Sequence, residues 1–401
     1  MTAHHDHIAA PTEDGPVADG RPACAPLAVT RLTLTNFRSY AAGEIAARGG
    51  PVVLVGPNGA GKTNVLDALS LLCPGRGLRG AKLGEHIRKG PSVQSEALWA
   101  VAATVSRNGE SHEIGTGLTV GPNGGERRQL RLNGAPAAST ADLSEILQMN
   151  WLTPAMDRLF IESASGRRRF LDRLVFGFDA GHARRAVRYE TAMRERARLL
   201  KFGPRDPAWL DGLEAEMADA GTQMIIARAQ TVARLNRALE HRGQAGAFPC
   251  AQLGVMGDAD QLVENCADPA QVLRERYLRA RVRDAEAGRT TFGPHLSDMA
   301  VRHTTKRADA RTCSTGEQKA LLISIILAQS WESAHMNGVP VLLLDEIAAH
   351  LDSTRRAALA EEILALGAQA WMTGTDLSLF DAFGSRAETF VVGAGQFVRQ
   401  D

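Results

Sequence analysis

Lys62 and Thr63 end the run Gly56-Pro57-Asn58-Gly59-Ala60-Gly61-Lys62-Thr63, a spacing suited to phosphate chemistry. Successive backbone amides of such a loop can curl around phosphate oxygens, and a helix opening behind it turns its positive dipole end toward them. The lysine can reach the β and γ phosphates, and the threonine hydroxyl can bind Mg²⁺. Because several residues are fixed together, the pattern says far more than a lone glycine triplet. Much farther along, Asp345 and Glu346 follow the apolar run Val341-Leu342-Leu343-Leu344. A buried strand there would deliver the Asp345 carboxylate to the metal shell and set Glu346 to orient or deprotonate an attacking water. Two acids after an apolar strand can equally cap a helix or face solvent. Beside a phosphate loop they point to hydrolysis, with Lys62, Asp345 and Glu346 as the catalytic set. No guanine-reading Asn-Lys-x-Asp pattern occurs, so ATP is the expected nucleotide.

A phosphate loop needs a strand before it and a helix after it. Pro51-Val52-Val53-Leu54-Val55 is a short run of buried-strand type, and the apolar positions of residues 64 to 72 suit a buried helix. Val29 to Phe37 includes an alternating stretch. Further strand candidates at 97 to 105, 118 to 120 and 129 to 132, with turns at Gly121 to Gly125 and Asn133-Gly134, read as an antiparallel sheet beside the loop. From about Pro154 to Arg283 the period becomes helical. Apolar residues recur at Leu210, Leu213, Met217, Ala220, Met224 and Ala227, then resume after an offset at Val232, Leu235 and Leu239. That predicts a helix of about thirty residues with one packed stripe, paired with a segment from about 180 to 201. Pro340 to Leu344 and Gln369 to Thr373 read as strands around a helix at 354 to 366, and Phe390 to Val398 as a closing hairpin. The expected fold is α/β, a phosphate-loop head of mixed sheet with an antiparallel subdomain and a mostly helical inserted lobe with short arms. Its expected division is an N-terminal extension (1–26), head segments at 27–153 and 286–401, and the lobe at 154–285.

The balance of 46 Lys plus Arg against 45 Asp plus Glu means that any nucleic-acid surface must be local. Five scattered cysteines fit reduced cytoplasmic thiols better than disulfides or a zinc site. No apolar run approaches the ~18 to 20 residues that cross a bilayer, so no membrane association is expected. One segment is strongly charged: residues 166 to 205 carry twelve Lys or Arg and four acids, a local net charge of +8. Arg184, Arg185, Arg188 and Arg194 within it, with Arg76 and Arg79 beyond the loop helix, are candidate contacts to a duplex phosphate backbone. The alternative is a solvated helix surface with internal ion pairing.

Gly56 to Thr63, Ser314-Thr315-Gly316-Glu317-Gln318, and Val341 to Glu346 followed by His350-Leu351-Asp352 resemble the Walker A, signature and Walker B plus D-loop elements of the ABC-type ATPases. Within that class the chain is similar to the RecF family of bacterial recombination mediators, relatives of the SMC and Rad50 heads. Supporting segments are Leu34 to Tyr40, Trp151 to Asp157, Arg167 to Asp172 and Thr291 to His295. The resemblance runs from about residue 27 to the C-terminus.

It implies an ATP-dependent homodimer in which Ser314 and Gly316 of one subunit contact the γ phosphate held by Lys62 of the other, with Asp352 near the seam. It also implies binding to duplex DNA near junctions of single and double strands, slow DNA-stimulated ATP hydrolysis, and promotion of RecA loading together with RecR and RecO. The chain departs from related patterns in two places and offers a positional candidate at a third. Thr373-Gly374-Thr375-Asp376 stands where transporter ATPases carry a switch histidine, Gln94 is the positional candidate for a Q-loop glutamine, and Leu296-Ser297-Asp298 replaces the family's usual Arg-Asp-Asp. A transporter ATPase subunit, an SMC/Rad50-like structural ATPase acting in chromosome maintenance, and a small-molecule kinase are the rival classes. The missing switch histidine, the short helical arms and the signature segment argue against them in turn.

Overall fold

The alternating strand Ala28–Phe37 (β1) buries Val29, Leu32, Leu34 and Phe37, then turns back into Tyr40–Ala46 (β2). Val52–Val55 (β3) is buried along its whole length, and the loop behind it opens into the helix Lys62–Ser70 (α1). Ala100–Arg107 (β4), Glu110–Val120 (β5), Glu126–Leu132 (β6) and Ala135–Pro136 (β7) complete an antiparallel sheet of order β2-β1-β4-β5-β6-β7. This computed structural model describes residues 27–89, 98–121, 124–139, 142–143, 145–203, 206–243, 247–264, 266–336 and 338–400.

A short buried strand, Met149–Leu152 (β8), leads into the helices Ala164–Phe176 (α2), His182–Phe202 (α3) and Pro207–Gly243 (α4). The strand Ala251–Met256 (β9) then lies inside the stretch whose period reads as helical. Asp258–Glu264 (α5) and Pro269–Ala287 (α6) follow. β9 pairs with Asp298–His303 (β10), which also pairs with Ala308–Asp309 (β11). The chain continues through Thr315–Met336 (α7), Val341–Leu344 (β12), Ser353–Leu366 (α8), Ala370–Gly374 (β13) and the hairpin Glu388–Gly393 (β14) and Gln396–Gln400 (β15).

The central sheet has the order β15-β14-β3-β13-β12-β8, parallel throughout except for the β14/β15 hairpin. Its strands β3, β13, β12 and β8 are buried along their whole length because both faces are covered. Val53 and Val55 face one core, shared with α7, α8 and α2, while Val52 and Leu54 face the other, shared with α1 and the antiparallel sheet. The fold is thus an α/β head of mixed and antiparallel sheets with a helical insert.

α4 explains the offset in its stripe. Met217, Ala218, Ala220, Met224 and Ile225 pack into a separate core with Tyr189 of α3 and Leu273 and Tyr277 of α6. Val232, Leu235, Ala238 and Leu239 instead join the head core. The helix is unbroken and its buried stripe continuous: Arg228 and Thr231, polar but buried, fill the gap between the two apolar runs where the helix passes from one core to the other. Each fully buried Leu or Met contributes about 1.5 to 3 kcal/mol, so both halves are firmly held. Among the described residues, no helix is long and apolar enough to cross a membrane.

Candidate nucleotide site

Two glycines of the loop have no room for a side chain. A Cβ on Gly56 would strike the Val392 carbonyl of β14, and one on Gly61, at φ +107°, would lie 2.7 Å from the Ser39 and Tyr40 hydroxyl oxygens. Tyr40 Oη donates to Gly61 O at 3.0 Å, and Asn64 Nδ2 to Ser39 Oγ at 2.8 Å. The β1/β2 turn therefore grips the loop, a role its sequence does not advertise. Asn58 and Gly59 are exposed at the loop's crown.

Lys62 is buried, at 4% exposure, and its ammonium donates to the carbonyls of Gly56 at 2.6 Å and Pro57 at 3.0 Å. Burial lowers its pKa, opposed by the nearby Glu346 and Asp345 carboxylates. Thr63 Oγ1 donates to Asp345 Oδ1 at 2.8 Å across 282 residues of sequence. Asp345 sits at the end of β12, its amide donating to Leu152 O of β8 at 2.9 Å. Burial raises the Asp345 pKa; hydrogen bonds from Thr63 and Thr373 oppose this, and so does the positive charge of Arg79. Arg79, a candidate DNA contact by sequence, thus lies within electrostatic reach of this acid.

Thr373, which sequence reasoning passed over, is buried on β13. Its hydroxyl donates to Asp345 Oδ1 at 2.9 Å and accepts the Glu346 N–H at 2.8 Å. Glu346 has φ +51°, the left-handed region that non-glycine residues seldom enter. A second overlooked group is Lys319 of α7, whose buried Nζ lies 3.6 Å from Asp157 Oδ2. Burial lowers its pKa against the pull of Asp157 and Glu346.

These residues fit Mg²⁺ and a polyphosphate. Among the described residues no cluster of three or more His, Cys, Asp or Glu could cage a metal. Thr63 and Asp345 offer two hard oxygens in contact, which suits an ion that completes its octahedron with phosphate oxygens and waters. Lys62 donates to carbonyls of its own loop, so a phosphate meets a cation that it can recruit.

Ser314, Gly316 and Asp352 are exposed and stand apart from that cluster in their hydrogen bonding. Ser314 N donates to Glu317 Oε2 at 3.0 Å and Glu317 N to Ser314 Oγ at 3.4 Å, a reciprocal cap on α7. A Cβ on Gly316 would meet nothing within 4 Å. Asp352 caps α8 by accepting from Arg355 N at 2.8 Å. Gln94 lies outside the described residues.

Half of the basic segment's twelve cations are paired with acids among the described residues, four of them with acids from elsewhere in the chain. Arg184 bonds Asp142 at 2.8 Å, Arg185 bonds Asp179, and Arg188 bonds Glu216 at 2.5 Å and Asp219 at 3.3 Å. Arg167 makes two bonds to Asp298, at 2.7 and 2.8 Å, and Arg168 donates to Ser297 O at 2.8 Å, so the Leu296-Ser297-Asp298 variation meets its cations here. Arg196 is fully buried between Glu214 at 2.8 Å and Asp284 at 2.7 Å. Arg173 stacks over Trp151, and burial lowers its pKa to about 9. Arg194 is exposed and donates to the Glu190 carbonyl at 3.1 Å, while Arg76 and Arg169 are exposed. The local count of +8 therefore overstates the free positive charge.

A family model described as the RecF/RecN/SMC N terminal domain matches residues 28–382. The DNA replication and repair protein RecF of Agrobacterium fabrum (strain C58) is 49% identical over 374 residues, covering 92% of this chain and 98% of that protein. Its namesake from Rhizobium meliloti (strain 1021) is 47% identical over 374 residues, with the same coverage. Among solved structures, the recombination mediator protein RecF-ATP superposes with a TM-score of 0.79 at 22% identity, covering 94% of this chain and 99% of that one. A Pyrococcus furiosus Smc head domain bound to the C-terminal domain of ScpA reaches a TM-score of 0.53 at 18% identity, covering 94% and 96%. With a family model over most of its length and relatives close to half identical across it, the chain belongs to the RecF family of ATPases within the RecF/RecN/SMC N-terminal domain group.

Proposed function

We propose that this protein is an ATP-dependent DNA-binding recombination mediator that dimerises on duplex DNA near gaps or junctions and, with RecR and RecO, promotes RecA loading in the bacterial cytoplasm. The observation that carries the reading is the split of the site. Lys62, Thr63, Asp345 and Glu346 converge, whereas Ser314 and Gly316 lie exposed on a helix start whose amides can bind anions. One chain then supplies two half-sites, and two chains facing each other supply whole ones.

In the closed pair Lys62 exchanges its loop carbonyls for the β and γ phosphates. Mg²⁺, held by Thr63 and Asp345, supplies neutralisation of phosphate charge when bound. Glu346 orients the attacking water and takes its proton, while Ser314 and Gly316 of the partner chain meet the γ phosphate and Asp352 lies at the seam. With no histidine in Thr373 to Asp376, turnover is slow, and DNA stimulates it. The DNA surface draws on Arg76, Arg79, Arg184, Arg185, Arg188 and Arg194. Ion pairs such as Arg188 with Glu216 must open for a phosphate, which tempers affinity.

The test is dimer formation and duplex binding with Mg²⁺-ATP. Lys62→Arg loses the ATP response, Ser314→Arg prevents pairing, and Glu346→Gln accumulates a persistent dimer. Normal dimerisation and ATP-stimulated DNA binding by both Lys62→Arg and Ser314→Arg would sink this mechanism.

A further inference from the structure

In the central sheet β13 lies between β3, which leads into the phosphate loop, and β12, which ends at the acids. Leu344 pairs with Met372, so the next residues, Asp345 and Thr373, lie level at the ends of neighbouring strands. Thr373 also pairs with Leu54 of β3. One oxygen consequently joins two functions. As a donor, the Thr373 hydroxyl fixes the same Asp345 oxygen that receives Thr63; as an acceptor, it satisfies the amide of Glu346. Glu346 stands at φ +51°, a conformation that persists where its surroundings hold it.

We propose that Thr373 is a positioning residue for ATP hydrolysis, its hydroxyl locking the left-handed turn at Glu346 to the Asp345 carboxylate. The inference rests on the reading of Glu346 as the water-orienting group. The relay ties the orientation of Glu346 to that of Asp345, so a rearrangement of Thr63 and Asp345 around a nucleotide is felt at the Glu346 backbone. It occupies the stretch in which no switch histidine stands. A hydroxyl that merely satisfied a buried donor would affect folding alone; one that aims a side chain affects turnover without affecting binding.

Thr373→Val keeps the shape and removes the bridge, and Thr373→Ser keeps the bridge. Wild type, both variants and Glu346→Gln are compared in steady-state hydrolysis, in equilibrium binding of a fluorescent ATP analogue with and without Mg²⁺, and in thermal melting without nucleotide. We expect Thr373→Val to lower kcat about 10- to 100-fold, with KM and analogue affinity within about threefold of wild type, and Thr373→Ser to restore kcat to within about threefold. Wild-type turnover in Thr373→Val beside an inactive Glu346→Gln overturns this inference alone. So does a Thr373→Ser variant as slow as Thr373→Val, a loss of affinity in step with kcat, or a lowered melting temperature with unchanged kcat. Wild-type turnover in Glu346→Gln overturns the assignment of Glu346 and this inference with it.

Discussion

Arg228 grips Asp172 with both prongs of its guanidinium, at 2.8 and 3.0 Å, and holds the Pro294 carbonyl at 2.7 Å with its remaining amino group. It stands on α4 between the residues that serve the lobe core and those that serve the head core. His182 Nε2 also lies 2.8 Å from Asp172. Arg228→Met leaves the half-buried Asp172 carboxylate without its main partner and is expected to cost up to about 3 kcal/mol of stability, read by chemical denaturation.

The same pair sets a pH signature. Burial alone would raise the Asp172 pKa, but the charge of Arg228 and the hydrogen bonds from His182 and Arg228 outweigh it and hold it at about 2. A depressed carboxylate pKa contributes stability that is present above its unfolded value, about 3.9, and lost as pH falls toward the folded one. Acid unfolding followed between pH 4 and pH 2 is therefore expected to lose a step of about 2 kcal/mol that Asp172→Asn lacks.

Ser314 performs two jobs that substitution can separate. Ser314→Asp keeps a good cap for α7 but places negative charge where the γ phosphate of the partner must come. Stability is expected to stay within about 0.5 kcal/mol, while ATP-dependent dimerisation, followed by light scattering, is lost. A Ser314→Asp variant that still dimerises would make the residue a cap and nothing more.

Charge reversal at Arg188 and Arg194 is expected to weaken duplex binding and to lower the slope of log affinity against log salt by about 2, at about 0.9 per phosphate contact. Arg196→Met is the contrasting case. Its guanidinium is buried with Glu214 and Asp284, so folding suffers and the salt slope holds.

The features legible in the sequence were those written locally. Strand, loop and α1 are contiguous, and the stripe along α4 is periodic, so residue type and spacing were enough. β9 was not legible, since Ala251-Gln252-Leu253-Gly254-Val255-Met256 is short, holds a glycine and gains its partner only from β10. Thr373 is legible as the end of a strand and the start of the stretch that lacks a switch histidine; its own role depends on the sheet order that sets it level with Asp345. The free charge of the basic segment was not legible for a related reason. Asp142, Glu214, Glu216, Asp284 and Asp298 lie outside residues 166 to 205, and folding delivers them to its arginines.

The 37 residues of α4 form a single rod, about 55 Å long at 1.5 Å per residue, with one half set in each core. A rod so clamped works as a lever. A tilt of about 5° where it leaves the head core at Val232 moves its far end, about 38 Å away, by about 3 Å. A displacement too small to repack the head's interior becomes, at the lobe, as large as the difference between a made and a broken hydrogen bond.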